Sequence, residues 1–102
     1  MGEAERRMLD LHSVVVASSN QLSSMLGDEA IILNTRTGRY FGLNPVGARV
    51  WQLLQERNLT VGEILESLLA EYEVEPYRCR QDLFDLLEQL QSQGLVQITS
   101  AS

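Results

Sequence analysis

The sequence holds one cysteine, Cys79, and one histidine, His12, the pair from which a thiolate nucleophile and its base could be built. Such a pair works only with the imidazole within hydrogen-bond reach of the sulfur. His12 lies in a polar leading segment and Cys79 on the apolar stripe of a helix, where a lone thiol behaves as a small core residue. Clusters of His and Cys at metal-ligand spacing and glycine-rich phosphate loops do not occur in the string. The reading is therefore of a non-catalytic protein that needs neither metal nor cofactor. A different chemistry is on offer in Arg39, Tyr40, Phe41, Gly42 and Leu43, and in Tyr77, Arg80, Phe84 and Leu87. A strand edge presents backbone donors and acceptors, Gly42 lets a second backbone approach closely, and aromatic and arginine side chains grip apolar or acidic groups. That is the equipment for holding an extended peptide.

These residues need elements to position them. Residues 1–12 read as a polar extension without a helix cap. The β-branched residues Val14, Val15 and Val16 indicate a strand over 13–17, and residues 21–26 a second short strand ending at Gly27-Asp28. Ile31, Ile32 and Leu33 mark a strand over 29–34. A turn at 34–38, with Gly38 available for positive φ, returns the chain along 39–43. The hydrophobic period then changes from 2 to 3.6. Asn44-Pro45 is an N-cap followed by proline at the first helical position, and Val46, Val50, Trp51, Leu53 and Leu54 form the inward face up to about Asn58. Thr60-Val61-Gly62-Glu63 is a capping box that opens a second helix bearing Ile64, Leu65, Leu68, Leu69 and Tyr72. Pro76 starts a third, which Gly94 ends before a terminal strand over 95–98. The fold class is α+β, winged helix-turn-helix-like: an N-terminal three-stranded antiparallel sheet followed by three helices. The domain spans 13–98, with 1–12 as an extension without fixed structure and 99–102 as a tail.

Composition excludes several functions. With 102 residues, 44% hydrophobic and 22% charged, the chain suits one globular domain. Its longest apolar runs, 14–17 and 30–33, are far short of a membrane span or a secretory signal. The single cysteine is compatible with a reducing cytoplasm. Acids and arginines balance over residues 1–60, whereas 61–102 carry eight acids against Arg78 and Arg80, and no lysine is present. A DNA reader needs a basic recognition helix. Here the third helix carries Asp82, Asp85 and Glu88 beyond its two arginines, so no nucleic-acid partner and no membrane is expected. The acidic run Glu71, Glu73, Glu75 reads either as a docking patch or as a solvated turn.

Two surfaces are left over. At about 100° per residue, Cys79, Leu83, Leu86, Leu87 and Leu90 form the core stripe of the third helix, and Tyr77, Arg80, Phe84 and Gln91 an adjoining one. That second stripe either packs under the sheet or lines a groove. The free edge at 39–43 must be covered or used. An added peptide strand there would let alternate side chains drop beside the third helix.

The same stretches resemble the PqqD family. They are Asp28-Glu-Ala-Ile-Ile-Leu-Asn34, Thr37-Gly-Arg-Tyr-Phe-Gly-Leu-Asn-Pro-Val-Gly-Ala-Arg-Val-Trp51, Tyr72-Glu-Val-Glu-Pro76, Gln81-Asp82-Leu83 and Gly94-Leu95. The resemblance covers 13–98 and is strongest to the stand-alone recognition proteins of lasso-peptide biosynthesis. It departs at Glu75, where a shorter cap such as aspartate is expected. It implies a peptide-recognition element that binds the leader segment of a ribosomally made precursor peptide. The leader would lie as an added strand between the 39–43 strand and the third helix, presented to a cysteine-protease-like leader peptidase and an ATP-dependent cyclase. A chaperone for another modified peptide or a quinone-cofactor pathway is the alternative, and a DNA-binding regulator a weaker one.

Overall fold

A computed structural model describes residues 9–99. The element order is β1 (Val14–Ala17), β2 (Gln21–Leu26), β3 (Glu29–Asn34), β4 (Tyr40–Leu43), α1 (Pro45–Glu56), β5 (Leu59–Thr60), α2 (Val61–Glu71), α3 (Pro76–Ser92) and β6 (Val96–Thr99). The turn residues act as their chemistry requires. Gly27, Gly38 and Gly94 adopt φ of 68°, 76° and 75°, the left-handed region that favours glycine. Asn44 Oδ1 accepts the Gly47 N–H at 2.8 Å and caps α1, and Thr60 and Glu63 form the reciprocal capping box of α2.

The strands form two antiparallel three-stranded sheets, β2-β3-β4 and β5-β1-β6. The sequence indicated one N-terminal sheet, and the α+β class with three helices holds. β1, however, leaves the hairpin strands and pairs with β6 from Val14↔Thr99 to Ala17↔Val96, and with the two-residue β5. The physical reason is that strand pattern specifies a face to bury and not a partner. Val15 is buried against the helices only if β1 lies between the short strands that flank α2 and α3.

The core lies between the two sheets and the helices, with Ile32, Val50, Trp51, Ile64, Leu68, Leu87, Leu90 and Leu95 all but inaccessible. Burying each such side chain contributes about 1.5–3 kcal/mol. The packed region begins before residue 13: Leu9 is in the core. Leu11 O accepts the Gly62 N–H and Ser13 O the Val61 N–H, each at 2.9 Å. These carbonyls satisfy the first donors of α2, which have no partner within the helix. The remainder of the expected extension, residues 1–8, lies outside the described residues. No described helix is long and apolar enough to cross a membrane.

Candidate functional site

β4 is the outer strand of its sheet. Its register with β3 runs from Ala30↔Leu43 to Leu33↔Tyr40, and the Asn34 N–H donates to Arg39 O at 2.8 Å just beyond it. In an antiparallel pair, hydrogen-bonded and non-bonded positions alternate. Counting from Asn34↔Arg39, Phe41 and Leu43 direct their backbone groups at β3. Tyr40 and Gly42 direct theirs to the free edge. The other outer strand is differently placed: Gln21 Nε2 donates to Gln55 Oε1 and Gln52 Nε2 reaches Met25 Sδ, so side chains from α1 are tied to β2.

Where β4 ends, an apolar cavity of about 300 Å³ opens. Val46, Gly47 and Val50 of α1 form one wall, and Cys79, Leu83 and Leu86 of α3 the other, with Arg78 and Asp82 at the rim. Gly47 permits this corner: a Cβ there would meet Leu43 Cδ2 at 3.1 Å and Asn44 Oδ1 at 3.3 Å. Arg78 and Asp82 form an exposed ion pair at 3.3 Å. Burial pushes the Cys79 thiol above its ordinary pKa, with a smaller contribution from the Asp82 charge. A thiol held protonated is a poor nucleophile and a good apolar wall.

The α3 residues singled out by sequence are distributed differently from the expectation. Leu87 is 0% exposed and Phe84 only 5%, so Leu87 is core and offers a ligand no surface, and Phe84 has taken the packed alternative. Arg80 is exposed, with its guanidinium 5.5 Å from the Phe84 ring centroid, and Tyr77 is exposed. The helix buries a face rotated by roughly 50° from the stripe drawn on the wheel. The physical cause is that α3 is packed by α2 on one side and β6 on another, whereas a wheel assumes one contact. Cys79 and Leu86, assigned to the core stripe, consequently stand half-exposed and line the cavity. Sequence reading missed this flank and the exposed Val74, and it set Val46 on the inward face of the first helix, whereas Val46 is exposed at the cavity wall. The available signal was Val74, an apolar residue two positions before Pro76 and outside either helical period.

Two further polar residues hold the site together. Buried Asn34 donates through Nδ2 to Gln93 O at 2.8 Å and accepts at Oδ1 from Arg36 N–H at 2.9 Å and Thr37 N–H at 3.2 Å. It ties the β3–β4 turn to the end of α3. Glu75, the departure noted above, still caps α3: its carboxylate accepts from the Arg78 N–H at 2.7 Å and the Tyr77 N–H at 3.1 Å. Of the acidic run, Glu71 is bound to Arg49 through two contacts of 2.8 and 2.9 Å, so two of its three carboxylates hold structural positions. Among the described residues no group of three potential metal ligands occurs.

An extended chain on the Tyr40–Gly42 edge would thus run toward an apolar cavity sized for one or two side chains. The comparisons with known proteins bear on that arrangement. The family model for coenzyme PQQ synthesis protein D (PqqD) matches residues 29–96. The structure of TbiB1 in complex with the TbiA(beta) leader peptide is similar to this chain with a TM-score of 0.74 and 36% identity, covering 80% of this chain and 94% of that one. A lasso peptide synthetase B1 complexed with the leader peptide shares the fold, with a TM-score of 0.68 and 24% identity over 81% of this chain and 96% of that one. No curated protein sequence matches.

Proposed function

Because the chain belongs to the PqqD family, we propose that it binds the leader segment of a ribosomally made precursor peptide of the lasso class and presents it to processing enzymes. The leader adds to β4 as a strand, bonded to the backbone of Tyr40 and Gly42, and an apolar leader side chain fills the cavity between α1 and α3. Arg39, Phe41, Leu43, Tyr77 and Arg80 border that path, and Phe84 supports Arg80 from beneath. The observation that carries this reading is the free β4 edge followed, from Asn44 onward, by an apolar cavity, in a chain 36% identical to a protein solved with a leader peptide. Its partners in this reading are a cysteine-protease-like leader peptidase and a cyclase, in the cytoplasm where the precursor is made, and the protein itself performs no bond-changing step.

The test is titration of the purified protein with the leader encoded beside its gene. Saturable one-to-one binding is expected, together with slower modification of Cys79 by a thiol reagent in the complex. Absence of binding to the leader would refute the reading. The family description favours one other ligand, a quinone-cofactor precursor. Competition of that precursor against the lasso leader distinguishes the two, and the lasso leader is expected to prevail.

A further inference from the structure

A further free strand edge lies near the end of α3 that is remote from the apolar cavity. β6 is an outer strand of the β5-β1-β6 sheet, and the Ser18 N–H donates to Leu95 O at 2.9 Å where its pairing with β1 begins. Counting from that bond by the antiparallel alternation, Gln97 and Thr99 direct their backbone groups at β1. Val96 and Ile98 direct theirs away from it, on the side left without a strand. All four residues of β6 line a cleft of about 740 Å³, within the range of roughly 300–1,000 Å³ that ligand pockets occupy. Arg36 and Thr37 of the β3–β4 turn form its far wall, and Gln91 and Gln93 at the end of α3 form its side.

The chemistry of the lining narrows the ligand. Arg36 is the one charged residue among those that line the cleft, and beyond Glu88 the chain carries no charge at all on its side chains. An acidic protein thus presents here a neutral wall with one guanidinium. The carboxamides of Asn20, Gln91 and Gln97 are exposed and make no hydrogen bond among the described residues. Each offers a donor and an acceptor, the pair that a peptide backbone requires, and a guanidinium matches a carboxylate. A polyanion needs several cations to hold it. One arginine among amides, beside an open strand edge, fits a polar peptide that carries an acidic side chain.

The cleft and the apolar cavity lie at the two ends of one track. α3 starts beside the cavity, which Asn44 also lines, and ends where Asn34 Nδ2 donates to Gln93 O at 2.8 Å, so it runs opposite to β4. A peptide paired antiparallel with β4, as β2, β3 and β4 are with one another, passes Leu43 first and Arg39 last. It then meets the β3–β4 turn and, past Arg36 and Thr37, the cleft. We propose that the cleft is a second subsite for the same peptide. The residues that follow the β4-paired strand lie along β6, bonded to the backbone of Val96 and Ile98, with an acidic side chain on Arg36. The proposal rests on the leader-binding reading and extends it to a second segment of the ligand. Once β4 holds the first segment, the second contact is intramolecular, so a few weak bonds add measurable affinity. Two anchors also fix the register of the peptide and the direction in which its remainder leaves the protein.

The test combines a series of labelled leaders, shortened stepwise from the C-terminal end, with the variants Arg36→Ala and Ile98→Pro. Arg36 is exposed, and proline is tolerated where the N–H faces a free edge; thermal melts would confirm that both variants fold. In the wild type, the first truncations are expected to weaken binding about tenfold before the β4-paired segment is reached. Both variants are expected to bind the full leader about tenfold more weakly and to be indifferent to those truncations, because each removes the same contact. The shortest binding peptide is expected to hold all three proteins equally. Amide exchange gives a second readout that needs no variant: Val96 and Ile98 should be protected by the full leader and not by the shortened one. First truncations that cost the wild type nothing, or cost the variants as much as the wild type, would overturn the proposal and leave leader binding standing. Unprotected Val96 and Ile98 in the full complex would overturn it too. Protection already present in the free protein would assign the edge to a second copy if it fades on dilution, and to the chain's own terminal residues if it persists; either result overturns the proposal. Failure of every peptide to bind would remove the leader-binding reading itself.

Discussion

Single side chains decide how the recognition edge is held. Asn34 makes three hydrogen bonds from a buried amide, and leaving their partners unsatisfied costs about 1–3 kcal/mol. Asn34→Ala is expected to lower unfolding stability by about 2–3 kcal/mol in urea titration; a loss within error would show that water replaces the amide. Arg49 and Glu71 join α1 to the end of α2, and their pKa values move in opposite directions. The hydrogen bond from Arg49 holds the Glu71 carboxyl below its ordinary value, and the same bond raises the Arg49 guanidinium. A carboxyl depressed in the folded state contributes stability above its unfolded pKa and loses it as pH falls through the folded one. Both side chains are about one-third exposed, so the contribution is at most about 0.5 kcal/mol after solvent screening. The stabilities of wild type and Arg49→Gln are therefore expected to differ slightly at neutral pH and to converge as pH is lowered through the carboxylate range. A gap that widens in acid would contradict the sign.

At the scale of the element, β4 has two kinds of backbone position, and proline separates them. Phe41 donates to the β3 ladder, so Phe41→Pro removes an internal bond and is expected to destabilise the sheet by about 2 kcal/mol or more. Gly42 directs its N–H to the free edge, where proline is tolerated. Gly42→Pro is expected to remain folded and to bind the leader about tenfold more weakly, with Gly42→Ala as the control for added bulk; calorimetric titration of both reads the difference. Equal affinity of Gly42→Pro and wild type would place the peptide elsewhere. The strands and helices themselves were legible from local chemistry: Asn44-Pro45, the Thr60–Glu63 box and Gly38 each dictate a backbone conformation within a few residues. The helical face of α3 was not, because its burial is shared among neighbours that lie far away in sequence. Phe84 and Cys79 exchanged roles for that reason, the aromatic going under and the thiol staying at the cavity wall.

For the molecule over residues 9–99, the first and last described strands and the middle are one structural unit. β1 is clasped between β5 and β6, and residues 9–13 supply a core side chain and two carbonyls to α2. A chain shortened to begin at Val14 is expected to lose about 4 kcal/mol, from the burial of Leu9 and the two bonds to α2. Its thermal midpoint would fall accordingly, whereas an unchanged midpoint would make this segment a passive extension.

Local residue types, read from the sequence alone, determined the α+β class, the capped helix starts, the turn glycines and the strand from Tyr40 to Leu43, because each depends on contacts within about one turn of chain. Charge balance and the resemblance of residues 13–98 pointed to a peptide as the ligand, since both are properties of the string. The tertiary structure alone decided which strands pair, which flank of α3 remains open and which strand edges are left without a partner among the described residues. Those outcomes depend on surfaces brought together from distant segments, competing for the same apolar area. No local pattern encodes the winner of that competition.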